Sequence, residues 1–589
     1  MLKILLAALL LMTPVLSVAE EHYAITLERN VPVTMRDGVI LRADIYRPQG
    51  SAKFPVLLQR TPYNKDDTAD WAVKAATHGY VVVVQDVRGR YKSDGEWYPF
   101  KHESMDGYDT IEWAAALPSS DGRVGMFGAS YVGATQMLAA IVHPPHLAGI
   151  CAGDTGSNYH DGWTYQGGAF EQWFNESWTT ILAQETATRS LRDRSNAVEG
   201  SSTLPLASYP LFNLGSSPDA SHLTAELAPY FMDWLVHPNF DEYWRTWSIE
   251  DHYADIQVPA LTISAWYDLF QGGALRNYLG MKSHAGTDFA RRNQRLIIAI
   301  GGHAGSGRRI GDVDFGPTAS LSDEDVTVTL DWYDFLFKGA QNEFATDKPV
   351  KIFVMGADVW RDEEAWPIAR AVSTRYFLRS GGRANSASGD GSLSEKAPTG
   401  EPSDSYVYDP ASPVPTIGGP LCCDPVHLKP GPRDQRPIEV RKDVLVYSTR
   451  PFAQSVEVTG PVRVELYAKS SALDTDFTAK LVDVSPDGFA KNLTEGIVRA
   501  KYRDSQLKPT LLNPGQVYKF EIDLMSTSNV FEAGHQLRLE ISSSNFPRFD
   551  RNLNTGKDSS QSDRFVKAIN TILHDAEHPS ALIVPEVPR

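Results

Sequence analysis

The stretch GRVGMFGASYVG, residues 122–133, decides the fold of this chain. An apolar run at residues 124–127 leads into a glycine-rich turn that carries Ser130, and the residues after the turn have the pattern of a helix. A strand, a tight turn with a serine at its apex and a helix together form a nucleophile elbow. The usual pattern G-x-S-x-G is only partly met, because Gly128 is in place but the second glycine comes one position late, at Gly133. The stretch therefore predicts that Ser130 is a nucleophile whose neighbours must be small where strand and helix approach each other.

Strands alternate with helices on both sides of the elbow, which predicts a largely parallel sheet whose functional groups lie at the carboxyl ends of its strands. A turn at residues 36–38 joins the first two strands in a hairpin. The remaining elements expected in this part of the chain are strands at 54–59, 80–84, 258–263 and 296–300 and helices at 71–78 and 109–116.

Two strands after the elbow end in residues that suit a serine nucleophile. The first ends at AWYD with Asp268, and the second ends at GGH with His303. The order Ser, Asp, His predicts that Ser130 attacks, His303 transfers the proton and Asp268 orients the imidazole. The competing histidines and acids do not follow a strand in this way; they are His143, His146, His237, Asp251 and Asp255.

Between residues 153 and 255 the α/β pattern stops and aromatic residues accumulate. We expect a helical insertion that lies over the loops of the sheet, where a substrate pocket would form. An aromatic core for a small helical subdomain explains most of these side chains, so we expect only a few to reach a substrate. They are Trp163, Phe170, Trp173, Phe174, Trp178, Tyr230, Phe231, Trp234, Tyr243, Trp244 and Trp247.

After residue 345 short alternating strands separated by turn residues predict an all-β sandwich or jelly roll. The first of these strands is expected at Val350 to Met355, and residues 380–420, rich in Gly, Ser and Pro, are expected to form a long surface loop. The predicted organisation is a signal peptide at 1–19, an α/β core at 20–152 and 256–345, a helical cap at 153–255 and a jelly-roll (galactose-binding-like) domain at 346–589.

The net charge of the chain limits the kinds of partner that the protein can bind. The 589 residues carry a formal net charge of −17, which argues against nucleic acids and anionic membrane surfaces. The first nineteen residues have the pattern of a secretory signal cleaved before Glu20: Lys3, then an apolar run, then small residues up to Ala19. We therefore expect export to a periplasm or the medium. No metal-ligand spacing or phosphate-binding loop occurs, and we therefore expect no metal and no cofactor.

The chain has three cysteines, too few for a disulfide framework. Cys151 follows an apolar stretch and is expected to be a buried thiol. Cys422 and Cys423 are adjacent, so they are either a vicinal disulfide or two free thiols.

Several motifs in order resemble the cocaine esterase and X-Pro dipeptidyl-peptidase family of serine hydrolases. They are DGYDTIEW (106–113), GRVGMFGASYVG (122–133), HPNFDEYW (237–244), AWYD (265–268) and GPRDQRPIEVRKDVLVY (431–447). The late glycine of the elbow is part of the likeness, because G-x-S-Y-x-G is the family's form. The resemblance covers nearly all of the chain after the signal and implies an α/β-hydrolase core, a helical cap and a C-terminal jelly roll.

The resemblance also implies a set of site residues. Ser130, Asp268 and His303 match the family's triad, and Tyr63 of TPYNK would give its hydroxyl to an oxyanion hole beside the N–H of Tyr131. One departure is that Ala299-Ile300-Gly301-Gly302 precede His303, where the family commonly has a Gly-Pro-Trp stretch. Members that hydrolyse α-amino acid esters have acidic residues shortly after the catalytic aspartate, whereas Leu269, Phe270 and Gln271 follow it here.

Three functions follow from these observations. The first is an exported serine hydrolase that cleaves a carboxylic ester or amide of a small molecule through a Ser130 acyl-enzyme. The second is an X-Pro dipeptidyl-peptidase with the same triad, which would need a carboxylate such as Asp154, Asp161 or Glu171 to bind the substrate's amino terminus. The third, a non-catalytic carbohydrate-binding protein, would leave three catalytic groups without a use.

Overall fold

The computed structural model describes residues 22–194, 227–303, 305–321, 324–560 and 562–588. The signal peptide expected at residues 1–19 lies outside these ranges. None of the helices within them is long and apolar enough to cross a bilayer.

The first part of the chain builds one half of a mixed sheet. The apolar residues of its inner strands are buried on both faces, as is usual for strands that helices cover on each side. The elements are β1 (Ile25–Thr34), β2 (Ile40–Pro48), β3 (Phe54–Thr61), α1 (Ala69–Thr77), β4 (Val81–Asp86), α2 (Glu103–Ala115), β5 (Ser120–Ala129), α3 (Tyr131–Ala140) and β6 (Leu147–Gly153).

The insertion after β6 is helical where it is described, apart from a short hairpin. Residues 195–226, which belong to the helical insertion predicted at 153–255, lie outside the described residues. The elements are β7 (Tyr165–Gln166), β8 (Ala169–Phe170), α4 (Gln172–Arg194), α5 (Pro229–Val236), α6 (Glu242–Arg245) and a 3₁₀ turn at Glu250–Asp255.

The chain then returns to the first sheet and completes it. The elements are β9 (Ala260–Tyr267), α7 (Gln271–His284), α8 (Asp288–Arg292), β10 (Gln294–Gly302), the short strands β11 (Gly305–Ser306), β12 (Arg309–Ile310) and β13 (Val313–Asp314), α9 (Glu324–Tyr333), α10 (Glu343–Thr346), β14 (Val350–Val354) and β15 (Val359–Glu363).

The strand order of this sheet is β1-β2-β4-β3-β5-β6-β9-β10-β14-β15. All neighbours from β4 through β14 are parallel, so β5, β9 and β10 end at the same edge. The buried side chains of β4 alternate between two clusters: Val81 and Val83 pack on the side of α2 and α3, and Val82 and Val84 pack on the side of α1 and α9.

A second, β-rich unit follows. Its strands are β16 (Val372–Arg379), β17 (Ser392–Ser394), β18 (Asp404–Tyr408), β19 (Leu445–Ser448), β20 (Val456–Ser470), β21 (Asp476–Val484), β22 (Ala490–Arg499), β23 (Tyr518–Phe531), β24 (Gln536–Ser542), β25 (Ala568–Leu573) and β26 (Ala581–Val587). The short helix α11 (Arg436–Glu439) lies between β18 and β19 in the chain. The strands pair in the order β18-β25-β20-β26-β16-β17-β19-β24-β21-β22, with β23 on β20.

Two expectations for the C-terminal region are corrected. The strand expected at Val350 to Met355 belongs to the first sheet, because β14 pairs in parallel with β10. Residues 380–420 are not one loop, since β17 and β18 lie within them and pair with β16 and β25. Strands this short carry too few alternating residues for the pattern to be recognised among turn residues.

The structure shows the bonding state of the three cysteines. Cys151 is a buried thiol outside any disulfide, as expected. Cys422 and Cys423 form a vicinal disulfide, one of the two alternatives left open by the sequence.

Candidate active site

Ser130 stands at the turn between β5 and α3 with a backbone conformation that few non-glycine residues adopt. Its φ is 63° and its ψ is −130°, and its N–H donates to the Gly153 carbonyl at 3.0 Å. A conformation of this kind costs on the order of 1–3 kcal/mol and persists only where the surrounding structure enforces it. The strained turn lifts the serine side chain above the sheet edge, at the amino end of α3.

The two glycines of the elbow lie where the backbone elements meet. A Cβ on Gly128 would lie 2.4 Å from Cγ1 of Val132, and one on Gly133 would lie 2.7 Å from the Gly153 carbonyl. Gly133 is therefore needed where α3 crosses the end of β6. This contact explains why the second glycine comes one position later than in G-x-S-x-G.

His303 bridges Ser130 and Asp268. Its Nε2 lies 2.8 Å from Oγ of Ser130, and its Nδ1 lies 2.7 Å from Oδ2 of Asp268. Asp268 is fully buried, and its second oxygen accepts the N–H of Phe270 at 2.6 Å. Both carboxylate oxygens are therefore fixed, and the plane of the imidazole is fixed with them.

Tyr63 lies beside this group, in the loop after β3. Burial raises the pKa of its hydroxyl, and hydrogen bonds with the Trp178 and Ser130 side chains and with the backbone of Tyr131 act in the opposite direction. The hydroxyl thus lies close to the Ser130 side chain and to the first N–H of α3. A hydroxyl and a backbone N–H at the same point are the kind of donors that stabilise an oxyanion.

The side chain of Tyr131 is occupied elsewhere. Its hydroxyl accepts the N–H of Phe100 at 2.7 Å and donates to Glu103 at 3.0 Å, and Glu103 is paired with Arg60 at 2.7 Å. All of these side chains are buried. The Tyr131 hydroxyl is therefore engaged away from Ser130, only the backbone N–H of Tyr131 could act as a donor there, and the ring anchors the start of α3.

Aromatic side chains surround the His303 imidazole and the elbow. The Phe270 ring meets His303 edge to face at 5.0 Å and stacks on Trp163 at 4.1 Å between centroids. The ring of Trp178 lies 5.9 Å from that of Tyr131. Leu269 and Phe270 are almost fully buried, which agrees with the expectation of an apolar environment after Asp268.

Two of the three carboxylates considered as sites for a substrate ammonium are paired with arginines. Glu171 pairs with Arg548 at 3.4 Å, and Asp161 lies 3.9 Å from Arg276 and accepts the N–H of Gly167. The third, Asp154, follows β6 and donates its own N–H to the Ile263 carbonyl.

Gln271, which follows Phe270, is bound to the β-rich unit, because its amide exchanges hydrogen bonds with the backbone of Ser526. The competing histidines lie away from Ser130 and interact with other groups. His146 pairs with Glu112, His237 pairs with Asp241, and His143 contacts the backbone carbonyl of Asp255.

One contributor to the site was missed by the sequence reasoning. The guanidinium of Arg90 is buried and donates to the carbonyl of Pro62, next to Tyr63, and to the carbonyl of Leu182 in α4. The sequence offers one indication of a functional role for Arg90, its position in DVRGR directly after a strand of the parallel sheet. Nothing local to the sequence indicates that it joins residues so far apart.

Two family models and a known protein match most of the chain. Residues 37–305 match the model of the X-Pro dipeptidyl-peptidase (S15) family, and residues 342–583 match that of the X-Pro dipeptidyl-peptidase C-terminal non-catalytic domain. The chain is 38% identical to the cocaine esterase of Rhodococcus sp. (strain MB1 Bresler), over 95% of this chain and 98% of that one.

Two solved structures share the fold at low sequence identity. An aminopeptidase from the marine sediment archaeon Thaumarchaeota archaeon superposes with a TM-score of 0.82 at 24% identity, covering 98% of each chain. An α-amino acid ester hydrolase superposes with a TM-score of 0.79 at 24% identity, covering 98% of this chain and 99% of the other. Together with the matched family models and the curated relative, these results place the chain in the cocaine esterase and X-Pro dipeptidyl-peptidase (S15) family of serine hydrolases.

Proposed function

We propose that this protein hydrolyses neutral carboxylic esters through an acyl-enzyme at Ser130. The observation that carries the proposal is the position of His303, whose two ring nitrogens lie within 2.8 Å of a serine oxygen and 2.7 Å of a buried carboxylate. The fold brings the three strand ends to one edge of the sheet, but it does not by itself require these side chains to hydrogen-bond in the order serine, histidine, aspartate. A general base between a nucleophile and an orienting acid is the arrangement that acyl transfer needs.

The reaction follows from these positions. His303 takes the proton of the Ser130 hydroxyl as its oxygen attacks the ester carbonyl, and the negative charge on the carbonyl oxygen is met by the Tyr63 hydroxyl and the Tyr131 N–H. The tetrahedral intermediate collapses, the alcohol leaves with the proton from His303, and the acyl group stays on Ser130. Water then attacks the acyl-enzyme with His303 as base, which releases the acid and restores the serine. Asp268 keeps the imidazole in one tautomer and stabilises its charged form.

An ester is a better candidate substrate than a peptide that is bound by its amino terminus, for two reasons. The curated relative with 38% identity is an esterase by name. Two carboxylates of the insertion are already paired, Glu171 with Arg548 and Asp161 with Arg276, so neither is available to hold a substrate ammonium without losing its partner. An unpaired ammonium beside Leu269 and Phe270 would be costly to bury.

We also propose that the β-rich unit is a jelly roll and that the protein is exported. The Cys422–Cys423 disulfide supports export, because disulfides persist in oxidising compartments. Amino-terminal sequencing of protein collected from the periplasm or medium tests this. A chain beginning at Glu20 is expected, and a chain that retains residues 1–19 contradicts it.

A chromogenic substrate panel tests the function. It should contain short and medium acyl esters, aminoacyl esters and dipeptidyl-Pro amides, and the Ser130→Ala variant should be measured beside the parent. Hydrolysis of the acyl esters that disappears in the variant is the expected result. Preferred cleavage of the dipeptidyl-Pro amides would instead support the peptidase.

A further inference from the structure

The indole of Trp178 donates its N–H to the hydroxyl oxygen of Tyr63 at 2.9 Å. Trp178 belongs to α4 of the insertion and Tyr63 belongs to the loop after β3, so this bond joins the cap to the core. The Trp178 side chain is almost fully buried. A hydrogen bond that is shielded from water in this way fixes the position of the phenol oxygen.

The bond also limits where the hydroxyl hydrogen of Tyr63 can point. An indole N–H can only donate, and a backbone N–H can only donate, so neither Trp178 nor the N–H of Tyr131 can accept that hydrogen. The Ser130 side chain lies beside the hydroxyl, and its oxygen can accept that hydrogen. The hydrogen is therefore directed towards the elbow, where an oxyanion forms during attack by Ser130.

The donor itself is held rigidly. The Trp178 ring lies between aromatic rings on several sides, with centroids 5.9 Å from Tyr131, 6.0 Å from Trp163 and 6.1 Å from Trp234. Rings packed in this way leave the indole little freedom to rotate, so its N–H keeps its direction.

Arg90 fixes the distance between the two partners. Its Nε donates to the carbonyl of Pro62 at 3.0 Å, and its Nη1 donates to the carbonyl of Leu182 at 3.0 Å. Pro62 precedes Tyr63, and Leu182 lies one helical turn after Trp178 on the same side of α4. One buried guanidinium thus joins the two backbones that carry the donor and the acceptor.

From these contacts we infer that Trp178 is a positioning residue for the oxyanion hole: its N–H orients the Tyr63 hydroxyl so that the hydrogen meets the developing charge. The inference rests on the proposed function, since it assumes that an oxyanion forms at Ser130. It assigns to the cap a part in transition-state stabilisation, in addition to any contact that its aromatic residues make with a substrate.

A double-mutant cycle tests the inference with a neutral acyl ester as substrate. Trp178→Phe keeps an aromatic ring and removes the N–H, so kcat should fall about three- to tenfold with little change in KM, as expected for one hydrogen bond. In the Tyr63→Phe background, where there is no hydroxyl to orient, the same change should alter kcat by less than about twofold. An equal loss in both backgrounds would show that Trp178 acts only through packing, and would overturn the inference.

Two further variants keep the test valid if Trp178→Phe loosens the cap. Trp173→Phe is the matched control, because Trp173 is also a buried residue of α4 but its indole N–H has no partner among the described residues; its kcat should match that of the parent. Replacement of Trp178 by benzothienylalanine, which keeps the bicyclic shape and puts sulfur in place of the N–H, should reproduce the loss seen with phenylalanine. Full activity in the benzothienylalanine protein would contradict the inference.

The proposed function is tested separately from the role of Trp178. If Ser130→Ala keeps full activity, the acyl-enzyme proposal fails. If Ser130→Ala is inactive and the cycle is additive, only the role of Trp178 fails.

Discussion

Glu171, in the segment that leads into α4, pairs with Arg548 of the β-rich unit, with 3.4 Å between Oε1 and Nη2, and both side chains are almost fully buried. Arg548 also pairs with Glu495 at 2.6 Å and donates to Gln166 in the β7–β8 hairpin. The segment that leads into the Trp178 helix is therefore anchored to the C-terminal unit. The family model describes that unit as non-catalytic, and this contact gives it a structural part in the site.

The Glu171 pair makes stability depend on pH. Burial, which outweighs the nearby Arg548 charge, raises the pKa of Glu171 to about 7. A carboxyl whose pKa is raised on folding stabilises the protein fully below its unfolded pKa of about 4.5, and this contribution is lost as the pH rises through about 7. The parent should therefore lose on the order of 3 kcal/mol relative to Glu171→Gln between about pH 4.5 and 8.

Thermal unfolding followed across that pH range measures the effect. Glutamine still accepts the Arg548 hydrogen bond but does not titrate, so the Tm of the parent should fall relative to that of the variant as the pH rises. Glu364→Gln is the control, because the Glu364 side chain is 78% exposed. Parallel Tm curves for the parent and Glu171→Gln would contradict this explanation.

Tyr63→Phe removes the hydroxyl proposed for the oxyanion hole. We expect kcat to fall by roughly 10²–10³ with little change in KM, because the interaction forms only in the transition state. Tyr376→Phe, which removes a hydroxyl bonded to Glu586 in the β-rich unit, serves as the control and should retain kcat. If Tyr63 only packs beneath its loop, the variant would have a lower Tm and a normal kcat.

Asp268→Asn should lower kcat by roughly 10⁴, the loss known for the same change in another serine triad. The Phe270 N–H holds Oδ1, so the amide nitrogen would face His303 Nδ1 and favour the wrong tautomer. Asp255→Asn is a suitable comparison, because Asp255 pairs with His252 at the surface and away from Ser130. Near-parental kcat in Asp268→Asn, with the fold intact by circular dichroism, would remove Asp268 from the triad.

Substrate preference is the fourth prediction. Neutral acyl esters should exceed matched aminoacyl esters in kcat/KM by at least about tenfold, or roughly 1.4 kcal/mol, because the apolar side chains after Asp268 cannot stabilise an ammonium. Both substrates should be measured across the titration of the amine. A preference for the aminoacyl ester that fades as its amine deprotonates would contradict the prediction and favour the peptidase.

The sequence predicted the parts of the site that depend on local order along the chain. Ser130, Asp268 and His303 each follow a strand of the parallel sheet, and such strands end at one edge, so the order of residues alone was enough to expect that they meet. The sequence also shows that the second glycine of the elbow, Gly133, comes one position late. It does not show why a glycine is needed there, which is the close approach of the Gly153 carbonyl.

The parts that could not be predicted depend on contacts between distant residues. Trp178 and Tyr63 are 115 positions apart, and no pattern distinguishes the tryptophan that donates to Tyr63 from Trp173, which lies on the same helix and whose indole N–H has no partner among the described residues. The placement of β14 was wrong for a similar reason. A short apolar strand has the same pattern in either sheet, and only its pairing with β10 shows which sheet it joins.

Covalent labelling tests the central claim, that Ser130 is the nucleophile activated by His303, most directly. A fluorophosphonate forms a P–O bond to an activated serine as fluoride leaves, so peptide mass mapping of the inactivated protein should find one adduct, on the peptide that contains Ser130. Ser130→Ala should take up no label, and His303→Ala should be labelled far more slowly than the parent. An adduct on another residue that accompanies loss of esterase activity, or unchanged labelling of Ser130→Ala, would contradict the account.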